Sequence, residues 1–212
     1  MVDRPTTPRQ ALERLLEGHR RFHEDRLEHG SGTDWRRRLE VARGQAPYAA
    51  LIACADARVP PPLLFDAGLG DLFVCRNAGN QVDSLTVGSI EFAVVEAGCP
   101  LVAVKGHSCC GALTATVDAV REPARIASPS LADVVQRLLP AALTTRPADG
   151  DRDAWVEAAA RENVRRTCWE LLDRSRLLAD RVEAGTLGLV GLWYDLRTCS
   201  LEIIVPLDEH VT

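Results

Sequence analysis

The run Tyr48-Ala-Ala-Leu-Ile-Ala53, bounded by Pro47, carries no alternation of apolar and polar residues. A strand of that kind is stable only when both of its faces are covered. Two more segments read as strands, Asp71–Arg76, ended by Asn77-Ala-Gly-Asn80, and Pro100–Lys105. Between and after them lie helical patterns. Ser84–Ala97 places Val87, Ile90, Val94 and Val95 on an inner side, and Gly111–Val120 follows the third strand. Strands alternating with helices predict a parallel sheet with helices on both faces.

The ends of the chain complete that plan. Thr7 followed by Pro8 is a helix start, a hydroxyl cap with proline where a missing N–H costs least. Leu12, Leu15, Leu16, His19 and Phe22 then recur at helical spacing, so this helix must dock on its own core or on a partner. Gly30–Thr33 reads as a loop and Asp34–Arg43 as a second, polar helix whose Arg36-Arg37-Arg38 cluster faces solvent. Beyond the centre, Leu131–Leu139 is a short helix and Asp153–Val182 a long amphipathic one. Gly185–Tyr194 is a strand and Leu201–Val205 an edge strand. The expected fold is a single α/β domain with a central, mostly parallel β-sheet flanked by helices. It has an N-terminal helical arm over residues 1–45, a main domain over 46–212 and an antiparallel edge strand near the C-terminus.

A chain of 212 residues with 46% hydrophobic and 26% charged residues can bury one large core. Its net charge of -5, with no basic run interleaved with aromatics, argues against a nucleic-acid partner. No stretch approaches the ~20 apolar residues that span a bilayer, and Met1–Gln10 has no secretory pattern. A cytoplasmic protein is expected. The 7 cysteines are an odd number scattered through apolar segments, which fits reduced thiols and a metal site better than a disulfide framework.

Chemistry concentrates in two places, Cys54-Ala-Asp56-Ala-Arg58 and His107-Ser-Cys-Cys110. Each follows a predicted parallel strand, at the carboxyl edge where open α/β sheets bind ligands. Two thiolates and an imidazole suit zinc and leave one tetrahedral position open. Spacing alone leaves Cys109 and Cys110 both available as the second thiolate. Cys110 falls in the first turn of the next helix, where unpaired N–H groups favour a thiolate. Asp56 and Arg58 lie close enough to Cys54 to act as an ionisable gate. No His-x-Glu with a following Pro-Cys-x-x-Cys occurs, which excludes a zinc deaminase.

These segments resemble the paired signatures of the β-class carbonic anhydrases. Gly44-Gln45-Ala-Pro47, Gly70–Asn80, Ser89-Ile-Glu-Phe92-Ala and Gly191-Leu-Trp-Tyr194-Asp195 are similar to further family segments, so the resemblance covers most of the chain. It implies that Cys54, His107 and Cys110 bind one Zn2+ per chain. It implies that Asp56 and Arg58 form a catalytic dyad, and that Asp56 becomes a fourth ligand in a closed state. Gln45 matches a glutamine that approaches the substrate across a dimer interface. Phe73 and Phe92 match walls of the carbon dioxide pocket, and Gly111 would donate its N–H to bicarbonate. Leu51 stands where relatives with an off-site bicarbonate pocket carry tryptophan, so that pocket is expected to be absent or weak. His19 replaces a usual asparagine and reads as a helix-surface or interface residue. Thr198-Cys199-Ser200 replaces a turn that commonly contains glycine. His23, His29 and His210 are read as solvent-facing, without a role.

The expected activity is therefore reversible hydration of carbon dioxide to bicarbonate and a proton by metal-bound hydroxide, in a homodimer or homotetramer. Two other readings are a carbon disulfide or carbonyl sulfide hydrolase on the same site, and a non-catalytic zinc module. The intact Asp56–Arg58 pair speaks against the last, which has no use for a gate. The N-terminal helix and the strand from Leu187 are expected to help bury the subunit interface.

Overall fold

The computed structural model describes residues 4–28, 35–122, 126–148 and 150–210. His29, Asp34 and the Gly30–Thr33 loop fall outside them. Among the described residues, five strands form one sheet: β1 (Ala49–Cys54), β2 (Leu72–Asn77), β3 (Leu101–His107), β4 (Gly188–Tyr194) and β5 (Leu201–Val205). The spatial order is β2-β1-β3-β4-β5. The pairs β1–β2, β1–β3 and β3–β4 are parallel, and only β4–β5 is antiparallel. The sheet is thus mostly parallel with an antiparallel edge, as the strand pattern predicts. β1, β3 and β4 are buried along their whole length because helices cover both faces.

The first helix, α1 (Pro8–His23), opens with a complete capping box: Thr7 accepts from the Gln10 N–H while the Gln10 side chain reaches back. Its stripe docks on its own chain. Ala11 and Leu15 are fully buried, and Gly18 presses so close to α3 (Pro61–Leu64) and Phe65 that a Cβ there would lie 2.0 Å from the Phe65 carbonyl oxygen. The second helix, α2 (Trp35–Val41), buries nothing, and its Arg37 reaches the Leu69 carbonyl and Asp71. α4 (Ser84–Val95), α5 (Gly111–Arg121), α6 (Pro129–Thr144), α7 (Arg152–Arg174) and α8 (Arg176–Glu183) complete the fold. A short 3-10 turn, Leu207–His210, follows β5.

Several expectations need correcting. The long helix is two: Ser175 ends α7 and caps α8, its hydroxyl accepting from the Leu178 N–H. Val95 is 43% exposed because α4 is apolar on more than one side. His19 is buried, with only 7% of its surface accessible, rather than on the helix surface. Its Nδ1 lies 3.1 Å from the Leu64 carbonyl, which packing of α1 against α3 brings over it. β4 is an interior strand between β3 and β5, so its burial is internal and it offers no interface.

Candidate metal centre

β1 and β3 are neighbours in parallel register, with Ala53 beside Lys105, so both strands deliver their last residues to the same edge. There Cys54, His107 and Cys110 come together, all buried, with their donor atoms within 4.8 Å of one another. The Cys54 and Cys110 sulfurs are 3.9 Å apart. Two sulfurs bound tetrahedrally at about 2.3 Å from one ion are separated by roughly 3.8 Å. His107 Nδ1 lies 2.9 Å from the Ser108 carbonyl and donates to it, which leaves Nε2 as the lone-pair nitrogen. Nε2 is buried and has no hydrogen-bond partner among the described residues. The loop that carries it is pinned, since the Ser108 N–H donates to Tyr194 O and Ser108 Oγ accepts from the Leu196 N–H.

The two thiols perturb each other in a way that calls for a cation. A hydrogen bond from Cys110 holds Cys54 far down, to about 3, and the same bond pushes Cys110 up, with burial adding to the rise. The Leu113 and Ala112 amides partly offset the rise at Cys110. Two adjacent buried sulfurs cannot both carry charge unless a positive ion lies between them. Donor identity, spacing and the unpartnered imidazole nitrogen all fit zinc. Cys110 is the cap residue of α5, one position ahead of the predicted first turn. Cys109 is exposed and held at φ 55°, outside the donor group.

Asp56 stands beside this group but not in it. Its Oδ1 accepts from Arg58 Nε at 2.9 Å and its Oδ2 from Arg58 Nη2 at 2.6 Å, while the Arg58 N–H adds a third contact at 2.9 Å. The Arg58 hydrogen bonds hold the carboxyl well below the usual carboxylate range. Arg58 also donates to the Cys109 carbonyl at 3.1 Å, tying the two motifs together. Gly111 opens α5 with an exposed backbone and open space where a Cβ would stand.

The remaining expected substrate contacts lie elsewhere in this chain. Gln45 is exposed before β1, at the opposite end of that strand from Cys54, roughly 17–20 Å away for a strand of this length. Phe73 pairs with Ala50, four residues short of Cys54, or about 13 Å along the strand. Phe92 is 51% exposed and its ring lies 6.2 Å from that of Phe73. Within a single chain these three are not brought to the donors.

Two residues near the centre were not foreseen. Lys105 is fully buried, its Nζ has no hydrogen-bond partner among the described residues, and it lies 5.7 Å from the Tyr194 ring centroid. A lysine ending an otherwise apolar strand run is the signal that marks it. Arg76 donates to the Cys54 carbonyl at 2.9 Å and to the Asp56 carbonyl at 2.6 Å. Only the register of β2 beside β1 reveals that contact.

Fold and donors together define a class: an α/β protein with a soft-ligand metal centre at the carboxyl edge of a parallel sheet. A family model described as carbonic anhydrase matches residues 49–201. The chain is 38% identical over 192 residues to carbonic anhydrase 2 of Mycobacterium tuberculosis, covering 90% of each. It is 37% identical over 199 residues to the carbonic anhydrase of Mycolicibacterium smegmatis, covering 93% of this chain and 94% of that one. Among solved structures, the Coccomyxa β-carbonic anhydrase in complex with acetazolamide aligns with a TM-score of 0.71 at 25% identity, over 91% of this chain and 86% of that one. A tetrameric β-carbonic anhydrase of Sordaria macrospora gives 0.69 at 25% identity, over 78% and 84%. The chain belongs to the β-class carbonic anhydrase family.

Proposed function

We propose that the chain is a zinc-dependent carbonic anhydrase, a lyase that reversibly hydrates carbon dioxide to bicarbonate and a proton. The observation that carries this is the bidentate Asp56–Arg58 pair beside three buried soft donors. Zinc held by Cys54, His107 and Cys110 supplies Lewis acidity, which makes water nucleophilic near neutral pH. Asp56, kept ionised by Arg58, is an acceptor only. It accepts a hydrogen bond from the attacking water and so turns the oxygen lone pair toward carbon dioxide, while the proton set free leaves to solvent or buffer. The Gly111 N–H, at the positive end of α5, donates to the bicarbonate that forms.

Gln45, Phe73 and Phe92 reach such a site only from a second chain, and we read the protein as a homodimer at least, with a tetramer as a further step. The aromatic pair then walls out water, and Gln45 adds a second donor to bicarbonate. One stripe of α4 supports this reading: Leu85, Phe92 and Val95 are 83%, 51% and 43% exposed, with Gly88 between them. Residues 1–45 act as an arm and 46–212 as the zinc-binding domain. Among the described residues no helix is long and apolar enough to cross a membrane, and seven free thiols accord with a reducing, cytoplasmic setting.

Stopped-flow carbon dioxide hydration with metal analysis tests the assignment. The zinc-loaded parent should be active. Cys110→Ser should lose both zinc and activity. Asp56→Asn should keep zinc but lose about tenfold to a hundredfold in rate, the value of one hydrogen bond to a charged group. A zinc-loaded parent that hydrolyses carbon disulfide but leaves carbon dioxide untouched refutes the proposal.

A further inference from the structure

Arg76 lies on β2, outside the donor group and the dyad, yet both of its bonds fall on the segment that carries Cys54 and Asp56. Its Nε donates to the Cys54 carbonyl and its Nη2 to the Asp56 carbonyl. One rigid, planar guanidinium therefore bridges the carbonyls of Cys54 and Asp56, the peptides that follow each of those residues. A third anchor comes from the same strand, the Ala55 N–H donating to the Asn77 carbonyl at 2.8 Å. The Asp56 carboxylate is held independently by Arg58. Asp56 thus has two restraints of different kinds: Arg58 holds the side chain and Arg76 holds the backbone. One route by which the carboxylate leaves Arg58 for the metal donors is a swing of its own peptide. That rotation turns the Asp56 carbonyl away from Arg76 and breaks at least one charge-assisted bond.

We propose that Arg76 is a positioning residue that latches the Cys54–Asp56 loop in the arrangement where Asp56 stays on Arg58, keeping the fourth metal position free of a protein ligand. The inference rests on the gate reading of Asp56 and Arg58 given above. Arg76 touches neither the reacting atoms nor the metal, so its effect passes entirely through the conformation of Asp56. Removing it shifts Asp56 toward the metal donors while Cys54, His107 and Cys110 continue to bind the ion.

The experiment uses the cobalt(II)-substituted protein, whose visible absorption reports the ligands of the metal, titrated with azide. The parent's spectrum should respond to azide. Arg76→Gln, with cobalt still at one per chain, should need about tenfold more azide, the value of losing one charge-assisted hydrogen bond. Arg76→Lys, which keeps one of the two bonds, should fall between them at about threefold, and it carries the test if Arg76→Gln does not fold. Adding Asp56→Ala to the Arg76 variant should restore the azide response, because the competing carboxylate is gone. A loosened fold would not be repaired that way. An Arg76 variant that binds azide like the parent overturns the latch, as does a double variant that stays impaired. If Asp56→Ala alone leaves carbon dioxide hydration unchanged, the gate reading fails instead, whatever Arg76 does.

Discussion

Lys105 shows what one buried amine costs beside a metal centre. Burial pushes it down to about 7, against the pull of Cys54, which favours its charge. Cys54 and Asp56 face it from β1 and the loop beyond, Arg76 from β2, Cys110 from the start of α5, Tyr194 from β4 and His19 from α1. An unfolded lysine titrates near 10.4. Between about 7 and that value the unfolded chain holds a proton that the folded chain has released, so stability rises with pH across the window. Below it both states are charged, and the folded state bears the full burial cost. Lys105→Met in the metal-free protein should therefore be more stable than the parent near pH 7, by at most about 5 kcal/mol. Urea unfolding from pH 7 to 10 should show a flatter slope for the variant; parallel slopes would show that Lys105 stays charged throughout. The donors themselves were readable in the sequence, because Cys54, His107 and Cys110 follow strands that register side by side. Lys105 and Arg76 were not, since their importance depends on what β1, β2 and β4 place around them.

Elements were legible where periodicity is local and obscure where tertiary contact decides. Apolar runs fixed the strands to within a few residues, and a Thr cap followed by proline announced α1. Ser175 was invisible as a break because the apolar pattern of α7 continues into α8, while the cap that separates them is a single hydroxyl. His19 was misread because α3, a four-residue turn, has no pattern of its own, yet it supplies the carbonyl that buries the imidazole. The same contact explains Gly18. Alanine there gains about 1 kcal/mol of helix propensity, but its methyl would meet the Phe65 carbonyl at 2.0 Å, a backbone atom that cannot turn aside. The clash should win, with Gly18→Ala destabilising by about 2 kcal/mol net and lowering the melting temperature by roughly 4–8 °C. A calorimetric scan showing an unchanged or higher melting temperature would mean that α1 does not dock against α3 in this way.

At the scale of the whole molecule, metal binding and catalysis separate. One chain supplies every soft donor, yet Gln45 and Phe73 lie back along β1 and β2 from them and Phe92 stands beside Phe73, so a lone chain should bind zinc without hydrating carbon dioxide well. The exposed α4 stripe is the face to disturb, and Leu85 can be changed without touching a proposed substrate contact. Leu85→Glu should place two charges against each other in an isologous contact. In sedimentation velocity it should run as a monomer, with zinc still near one per chain and hydration reduced more than about tenfold. Complementation tests the shared site more sharply. Gln45→Ala chains hold zinc but offer no glutamine, and Cys110→Ser chains offer glutamine but no metal. Random pairing of the two, expressed together, makes about half the dimers mixed, and each mixed dimer has one complete site. Activity should return to about a quarter of the parent's. A mixture no more active than its components would show that Gln45 does not act across the interface, and that the site is built from one chain alone.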